Sequence, residues 1–290
     1  MRELQLEGII MKDSFLYRFG KTSYDLSRRT FVMGVLNVTP DSFSDGGKYN
    51  SIETAIAHAV AMEKEGADFI DIGGQSTRPG SEEVPLDEEL KRVIPVLKEV
   101  MARVKIPVSI DTYRSVVADE ALRNGAVVVN DISGFNFDAA MAKVIAKHNA
   151  TAIVMHIKGT PKNMHADPFY NDLLGDISSY FENAAWKANV EGIKQIIIDP
   201  GIGFGKTVEH NLQILKNLAA FKKLDSPIMI GVSKKSMIGK ILGIDDVNDR
   251  REGTITLNTI AINNGANIIR VHDVNEGVRT ARLMDAYKKA

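Results

Sequence analysis

In MGVLNVTPDSFSDGG, Met33 to Gly47, an apolar run gives way at Asn37 to a stretch of Asp, Ser, Thr, Pro and Gly. The Asn37 amide with the carboxylates of Asp41 and Asp45 offers only hard oxygen donors. Such a set suits a Mg²⁺ ion that keeps water and substrate phosphate in its shell. About ten residues separate this run from the next helical pattern, against the usual two to six of a strand-to-helix turn. A polar, mobile connection is the plain reading, and a lid over a catalytic face is the functional one. DIGGQSTRPG, Asp71 to Gly80, is a second long loop after an apolar run. Gly73 and Gly74 permit tight turning or close approach to a ligand. Arg78 is a permanently charged donor set before Pro79, which stiffens the loop. Taken alone, Arg78 reads as a solvated arginine.

Single polar residues close other apolar runs: Asp111 in SIDTYR, Asn130 in VVVND and Asp199 in IIIDPGIGFGK. A carboxylate directly after such a run is expensive unless paired or hydrogen-bonded. Asp111 and Asp131 could each be a helix N-cap. Carboxylates and an amide converging from different strands would instead suit a ring with both donors and acceptors, such as a 2-amino-4-oxo pterin or a guanine edge. GVSKKS, Gly231 to Ser236, and RVHDV, Arg270 to Val274, bring Lys235, Arg270 and His272 to the last two runs. Barrels often build phosphate sites there; a helix N-terminus favours an anion, and Ser236 could cap the next helix. For Arg270 the alternative is an ion pair inside the barrel. His58 and His210 sit in helical patterns and read as surface or packing residues. Met155 and Phe204 border run ends, as lining or as ligand-contacting surface.

The elements that must position these residues follow from the hydrophobic pattern. Short apolar, turn-bounded runs lie at Thr30 to Asn37, Phe69 to Ile72, Val108 to Asp111 and Val127 to Asn130. Four more lie at Thr151 to His156, Gln195 to Asp199, Pro227 to Gly231 and Asn267 to Val271. Each fits a buried parallel strand. Helical patterns alternate with them, among them Ile52 to Glu65, Asp87 to Val104, Tyr170 to Asn189 and Glu252 to Asn264. Eight such pairs predict an α/β (β/α)8 TIM barrel, with a doubly wound open sheet as the competitor. Polar residues at the ends of every strand favour the barrel, because an open sheet gathers its site at one switch point. Residues 31–290 read as one barrel domain. Residues 1–30 read as an extension in which Gly8 to Tyr17 and Ser23 to Ser27 form a hairpin plugging the barrel's N-terminal end.

Composition removes several classes of function. The 290 residues carry a formal net charge of −1 and no basic run, which gives a nucleic acid no footprint. Cysteine is absent, so disulfides, thiolate metal sites and a cysteine nucleophile are excluded. Neither a signal peptide nor a run of roughly 18 apolar residues is seen, so no membrane partner is expected and the cytoplasm is the expected location.

NVTPDSFSDGG, GGQSTRPG, SIDTYR, NDISG, MHIKGTPKNM, DPGIGFGK, VSKKS and RVHDV, in that order, resemble the dihydropteroate synthase family from about Phe31 to the C-terminus. The resemblance implies a transferase of folate synthesis that joins p-aminobenzoate to 6-hydroxymethyl-7,8-dihydropterin pyrophosphate, giving 7,8-dihydropteroate and pyrophosphate. It implies Mg²⁺ on Asn37 and a homodimer. Asp111, Asn130, Asp199 and Lys235 would bind the pterin edge, with Gly231 close by and Met155 lining the pocket. Arg270 would stack on the ring and, with Asn37 and His272, hold pyrophosphate. Thr77, Arg78, Pro79, Phe204, Lys235 and Ser236 would form the aminobenzoate site, and Asp41, Phe43 and Asp45 the lid. The implied catalytic set is Asn37, Asp45, Arg78, Asp199, Lys235, Arg270 and His272. Gln75 stands where the family commonly has Glu, and Lys234 where it commonly has Arg; both departures bear on loop rigidity. The rivals are a pterin-binding methyltransferase, which would need neither the lid nor the basic pyrophosphate residues, and a catalytically silent pterin-binding paralogue, which should have lost them.

Overall fold

The computed structural model describes residues 14–38, 48–76, 81, 83–166 and 168–290. Leu16–Phe19 (β1) and Thr22–Asp25 (β2) pair antiparallel, with Leu16 opposite Asp25 and Phe19 opposite Thr22. Gly20 makes the two-residue turn possible: its φ of +61° lies in the left-handed region that such loops require. Among the described residues the first strand runs on past Tyr17 to Phe19, and the second covers Thr22–Asp25 and stops short of Ser27. The first half of the expected pairing, up to Lys12 and Asp13, lies outside the described residues.

The eight apolar runs become parallel strands: Phe31–Asn37 (β3), Phe69–Gly73 (β4), Val108–Asp111 (β5), Val128–Asp131 (β6), Thr151–Met155 (β7), Ile196–Asp199 (β8), Met229–Ile230 (β9) and Ile268–Val271 (β10). Their order is β8-β7-β6-β5-β4-β3-β10-β9, and a parallel bridge between Ile198 and Ile228 joins the two ends. The sheet therefore closes on itself and leaves no edge. Helices run between the strands: Lys48–Glu65 (α1), Leu86–Arg103 (α2), Ser115–Arg123 (α3), Met141–Lys147 (α4), Leu173–Glu191 (α5), Val208–Lys216 (α6), Ser236–Leu242 (α7), Arg251–Asn263 (α8) and Val274–Lys289 (α9). This is the TIM barrel that the pattern predicts. Helix α5 starts three residues later than its apolar pattern, because the Asp172 side chain accepts from Gly175 N and caps it there.

Strand parity sorts the side chains into two layers. Val32, Ile70, Ile110, Val129, Val154, Ile198 and Ile269 belong to the core packed beneath the helices. Phe31, Met33, Phe69, Val128, Ile153, Ile197, Met229 and Ile268 form a separate cluster that includes Phe19 and Leu26 from the hairpin region. These are the inward positions at the N-terminal ends of the strands, so the hairpin plugs that end of the barrel. Phe19 is 2% exposed and meets Phe69 edge to face, with centroids 4.8 Å apart. The plug is held by polar contacts as well. Tyr17 Oη donates to Ile196 O at 2.8 Å, and Gln195 Oε1 accepts from Arg18 N at 2.7 Å. Phe19→Ala should therefore cost about 3–5 kcal/mol, the range for removing a buried aromatic side chain. Urea unfolding measures the loss, and a cost below about 1 kcal/mol would mean that the plug does not support the core.

Candidate active site

Two residues beyond the inward apolar layer, the same parity points polar side chains into the barrel. Phe69 is followed by Asp71, Val128 by Asn130, Ile197 by Asp199 and Ile268 by Arg270; Asp111 ends β5. These groups meet. Arg270 Nε donates to Asp71 Oδ2 at 2.7 Å, and Arg270 Nη2 donates to Asp111 Oδ2 at 2.7 Å. Asn130 Nδ2 also donates to Asp71 Oδ2, at 2.8 Å. Asp71 is fully buried, and its Oδ1 has no hydrogen-bond partner among the described residues. A carboxylate in that position is tolerable only because a guanidinium and an amide face it. Of the two readings left open for Arg270, the structure displays the ion pair inside the barrel. Burial raises the Asp111 carboxyl to about 7, against the opposing pull of Arg270.

The loop after β8 supplies another part of the cluster. Asp199 is buried, and its Oδ1 accepts from Gly201 N at 2.8 Å. Burial raises its carboxyl, while that bond and the charges of Lys235, Arg270 and Lys206 oppose the rise. Lys235 Nζ lies over the Phe204 ring, 4.2 Å from its centroid, within cation–π range. Burial lowers the Lys235 ammonium to about 8, and Asp199 limits the fall. It therefore remains charged at neutral pH.

His272 follows β10 and faces Ser233. The His272 backbone N–H donates to Ser233 Oγ at 3.2 Å, and Ser233 Oγ lies 3.1 Å from His272 Nδ1. Ser233 is buried. A neutral imidazole that accepts the Ser233 hydroxyl proton at Nδ1 carries its own proton on Nε2. Burial, with Arg270 and Lys234 nearby, lowers the His272 pKa to about 3. The side chain is a neutral N–H donor rather than an imidazolium.

The barrel thus brings together Asp111, Asn130, Met155, Asp199, Phe204, Gly231, Lys235, Arg270 and His272 at the C-terminal ends of its strands. Asn37 ends β3, in register with Gly73 on β4. Asp41, Phe43, Asp45, Thr77, Arg78 and Pro79 lie outside the described residues. Several expectations need correction. Asp111 caps no helix, since its carboxylate is taken by Arg270. Asp131 holds a turn instead: Oδ1 accepts from Ser133 N and Oγ, and Oδ2 from Phe135 N. Ser236 is exposed and is the first helical residue of α7; Lys235 occupies the cap position with no side-chain cap bond. Gly74 serves packing, because a Cβ there would fall 2.4 Å from Val93 Cγ2 on α2. His58 is exposed, and His210 completes the Thr207 capping box of α6. At the two departures, Gln75 Nε2 donates to Tyr113 Oη at 2.9 Å, and Lys234 Nζ pairs with Asp273 Oδ1 at 2.9 Å.

Asp71 and Ser233 are among the polar strand ends that favour the barrel, but their partners, Arg270 and the His272 ring, lie 199 and 39 positions away and are not named by spacing. Lys206 escapes the sequence reading, because two of its four contacts are to His156, 50 positions away.

Comparison with known proteins agrees with this architecture. The model of the pterin binding enzyme family matches residues 33–272. A dihydropteroate synthase of Synechocystis sp. is 48% identical over 92% of this chain and 93% of its own. The chain belongs to the dihydropteroate synthase family. Two solved dihydropteroate synthases have the same fold. The Yersinia pestis protein in complex with a sulfonamide drug is 40% identical with a TM-score of 0.89, over 95% of this chain and 100% of its own. The Xanthomonas albilineans protein with 4-aminobenzoic acid is 36% identical with a TM-score of 0.86, over 92% and 96%. Family members are transferases, and the cluster at the barrel mouth is the candidate active site.

The ion pair makes a measurable claim. Arg270→Met leaves Asp71 buried without its cation and should cost about 3–5 kcal/mol. Adding Asp71→Asn should recover part of that loss, so the double variant should be more stable than the sum of the singles predicts. Strict additivity in denaturant unfolding would mean that the two groups do not support each other.

Proposed function

We propose that this chain condenses 6-hydroxymethyl-7,8-dihydropterin pyrophosphate with p-aminobenzoate, giving 7,8-dihydropteroate and pyrophosphate. The observation that carries the reading is the convergence of Asp111, Asn130, Asp199 and Lys235 beside Arg270 in the barrel mouth. The carboxylates accept from the N–H groups of a 2-amino-4-oxo pterin, and Lys235 donates to an acceptor of the ring. Asn130 spends one amide hydrogen on Asp71 and keeps its carbonyl oxygen for a ligand. Met155 and Gly231 line the pterin pocket.

Arg270 holds two carboxylates, and only one contact must yield. Its Nε bond to buried Asp71 anchors the side chain, while the Nη2 bond to Asp111 can be exchanged for the pterin edge. The freed guanidinium face then stacks on the ring, and His272 donates through Nε2 to the pyrophosphate oxygens. The bond between the pterin methylene carbon and the leaving oxygen breaks, its electron pair departing with pyrophosphate. The dihydropterin ring delocalises the positive charge, and the Asp111 and Asp199 carboxylates stabilise it. The arylamine lone pair then forms the new C–N bond, and its proton leaves with pyrophosphate or solvent. Phe204, Lys235 and Ser236 form the described part of the aminobenzoate site, and Thr77, Arg78 and Pro79 the rest. Asp41, Phe43 and Asp45 belong to the lid.

The donor set also bears on Mg²⁺. Asn37 supplies a hard oxygen, and the described residues contain no group of three or more His, Asp or Glu able to cage a metal. That chemistry fits an ion bound chiefly by substrate phosphates and water. Bound there, Mg²⁺ would neutralise charge on the pyrophosphate. No described helix is long and apolar enough to cross a membrane. The reading includes a cytoplasmic homodimer, with residues 31–290 as the pterin-binding domain and 1–30 as its extension.

Purified protein given dihydropterin pyrophosphate, p-aminobenzoate and Mg²⁺ should form 7,8-dihydropteroate only when all three are present. The absence of an aminobenzoate-dependent product would overturn the reading. The pH profile adds a second test. Lys235 is lowered to about 8 by burial, held up by Asp199 and Asp111 and pushed down by Arg270. Its donor charge is present below that pH and lost above it, so kcat/KM should fall as pH rises through about 8. Lys235→Arg should shift this alkaline limb upward, and an unmoved limb would assign it to another group. At the pyrophosphate end, Ser233→Ala should lower kcat/KM for the pterin substrate by about three- to tenfold, the scale of one neutral hydrogen bond. Equal kcat/KM in a folded variant would show that Ser233 does not set the His272 tautomer.

A further inference from the structure

Lys206 closes the segment DPGIGFGK and is 3% exposed, and its contact with the residues assigned above to the substrates is to the backbone carbonyl of Phe204 rather than to a side chain. Its Nζ lies 3.0 Å from Gly201 O, 2.9 Å from Phe204 O, 3.2 Å from His156 O and 2.9 Å from His156 Nδ1. Three of these four partners are peptide carbonyls, which only accept. An ammonium carries three hydrogens, one for each carbonyl, so the ring of acceptors is matched to a cation; burial pulls the Lys206 pKa well below the usual lysine value, and the charge of Asp199 opposes that fall.

The backbone is bent to make that ring. Gly201, Gly203 and Gly205 take φ of +70°, +85° and +64°. A Cβ on Gly201 would fall 2.0 Å from His156 O, and one on Gly205 would fall 2.4 Å from Lys158 O. Glycine alone lets this loop lie so close to the chain leaving β7. The loop is also tied down on its outer side, where Tyr170 Oη donates to Gly205 O at 2.7 Å and Gly203 N donates to Asn211 Oδ1 at 2.8 Å. Two groups of the site ride on this turn. Gly201 N donates to Asp199 Oδ1, and the Phe204 ring stands beneath Lys235 Nζ.

We propose that Lys206 is a positioning residue for the aminobenzoate pocket. Its ammonium draws the Gly201 and Phe204 carbonyls inward against the end of β7, and so sets where the Phe204 ring stands. The inference rests on the reading of Phe204 as a wall of that pocket. Removing the ammonium releases the Phe204 carbonyl and with it the ring, while the pterin-facing Asp111 and Asn130, on other strands, keep their places. The loss therefore falls more on aminobenzoate than on the pterin substrate.

The test compares the parent with Lys206→Met, Lys206→Arg and Lys206→Cys in steady-state assays, with melting temperature measured alongside. In Lys206→Met, KM for p-aminobenzoate should rise on the order of tenfold or more, with a smaller change in KM for dihydropterin pyrophosphate. The chain has no other cysteine, so Lys206→Cys can be alkylated selectively with 2-bromoethylamine in denaturant and refolded. That chemistry restores an ammonium at nearly the native reach and should return KM toward the parent value. A merely structural lysine predicts a lower melting temperature with KM unchanged, and that result in a folded Lys206→Met would overturn the proposal. So would a raised KM that persists after aminoethylation. If the neutral variants do not fold, Lys206→Arg decides, because its longer planar head group displaces the carbonyls while keeping the charge. A folded Arg variant with the parental KM for p-aminobenzoate overturns the assignment. An inactive parent overturns the functional reading and this inference with it, whereas an active parent with insensitive variants overturns the inference alone.

Discussion

The buried carboxylate of Asp71 is the constraint around which the mouth of the barrel is arranged. A charge with no access to water must be met by donors inside the protein or the fold loses several kcal/mol. Arg270 and Asn130 meet it from two other strands, and Arg270 reaches on to Asp111 on a third. β4, β5, β6 and β10 are thereby tied at their C-terminal ends by polar contacts, and Phe69, Val128 and Ile268 of β4, β6 and β10 share an apolar cluster with Phe19 at the N-terminal ends. The barrel has an apolar floor and an ionic ceiling. The proposed chemistry occupies the ceiling.

Strand parity explains why the two layers stay separate. Inward positions recur every second residue, so a strand of four or five residues offers two inward side chains. In β4, β6, β8 and β10 the first is apolar and the second is polar: Phe69 and Asp71, Val128 and Asn130, Ile197 and Asp199, Ile268 and Arg270. A one-residue slip in any strand would exchange this set for its neighbours, Ile70, Val129, Ile198 or Ile269, which belong under the helices. Placement of the site and packing of the core thus depend on the same register.

Much of this was legible before any coordinates. Short, turn-bounded, continuous apolar runs fit strands covered on both faces, and polar residues at every run end favour a closed barrel over an open sheet with one switch point. The convergence of Asp111, Asn130, Asp199, Lys235 and Arg270 follows from those two facts and from the family resemblance. Contacts that sequence spacing does not encode were hidden. Asp71 and Arg270 are 199 positions apart, and nothing near either names the other. The capping readings of Asp111, Asp131 and Ser236 failed for a common reason. Local propensity describes what a side chain does when only its own backbone competes for it, and here an arginine, a tight turn and solvent took those groups instead. The N-terminal hairpin was foreseen in kind, but its first strand runs on to Phe19 and its second stops at Asp25, around a turn set by Gly20, a single left-handed residue.

The charge balance of the ceiling bears on how such a site can favour a cationic intermediate without binding its neutral precursor too weakly. Asp71, Asp111 and Asp199 stand near Arg270, Lys235 and Lys206, and burial raises the Asp111 and Asp199 carboxyls while it lowers the Lys235 and Lys206 ammonium groups. Each of these groups faces an opposite charge or a cage of dipoles. When pyrophosphate leaves, positive charge develops on the pterin beside Asp111 and Asp199. In the proposed arrangement the Arg270 face stacks on the ring while Nε keeps Asp71, and the developing positive charge replaces Arg270 as the cation that favours the ionised form of Asp111, whose carboxyl burial raises to about 7. An interaction absent in the ground state and present after bond cleavage is the kind that lowers a barrier rather than deepening a well. Lys206 is surrounded by the carbonyls of His156, Gly201 and Phe204, and it opposes the rise that burial causes in the Asp199 carboxyl. In the proposed role it holds the loop in place and also favours the ionised carboxylate on which the intermediate relies.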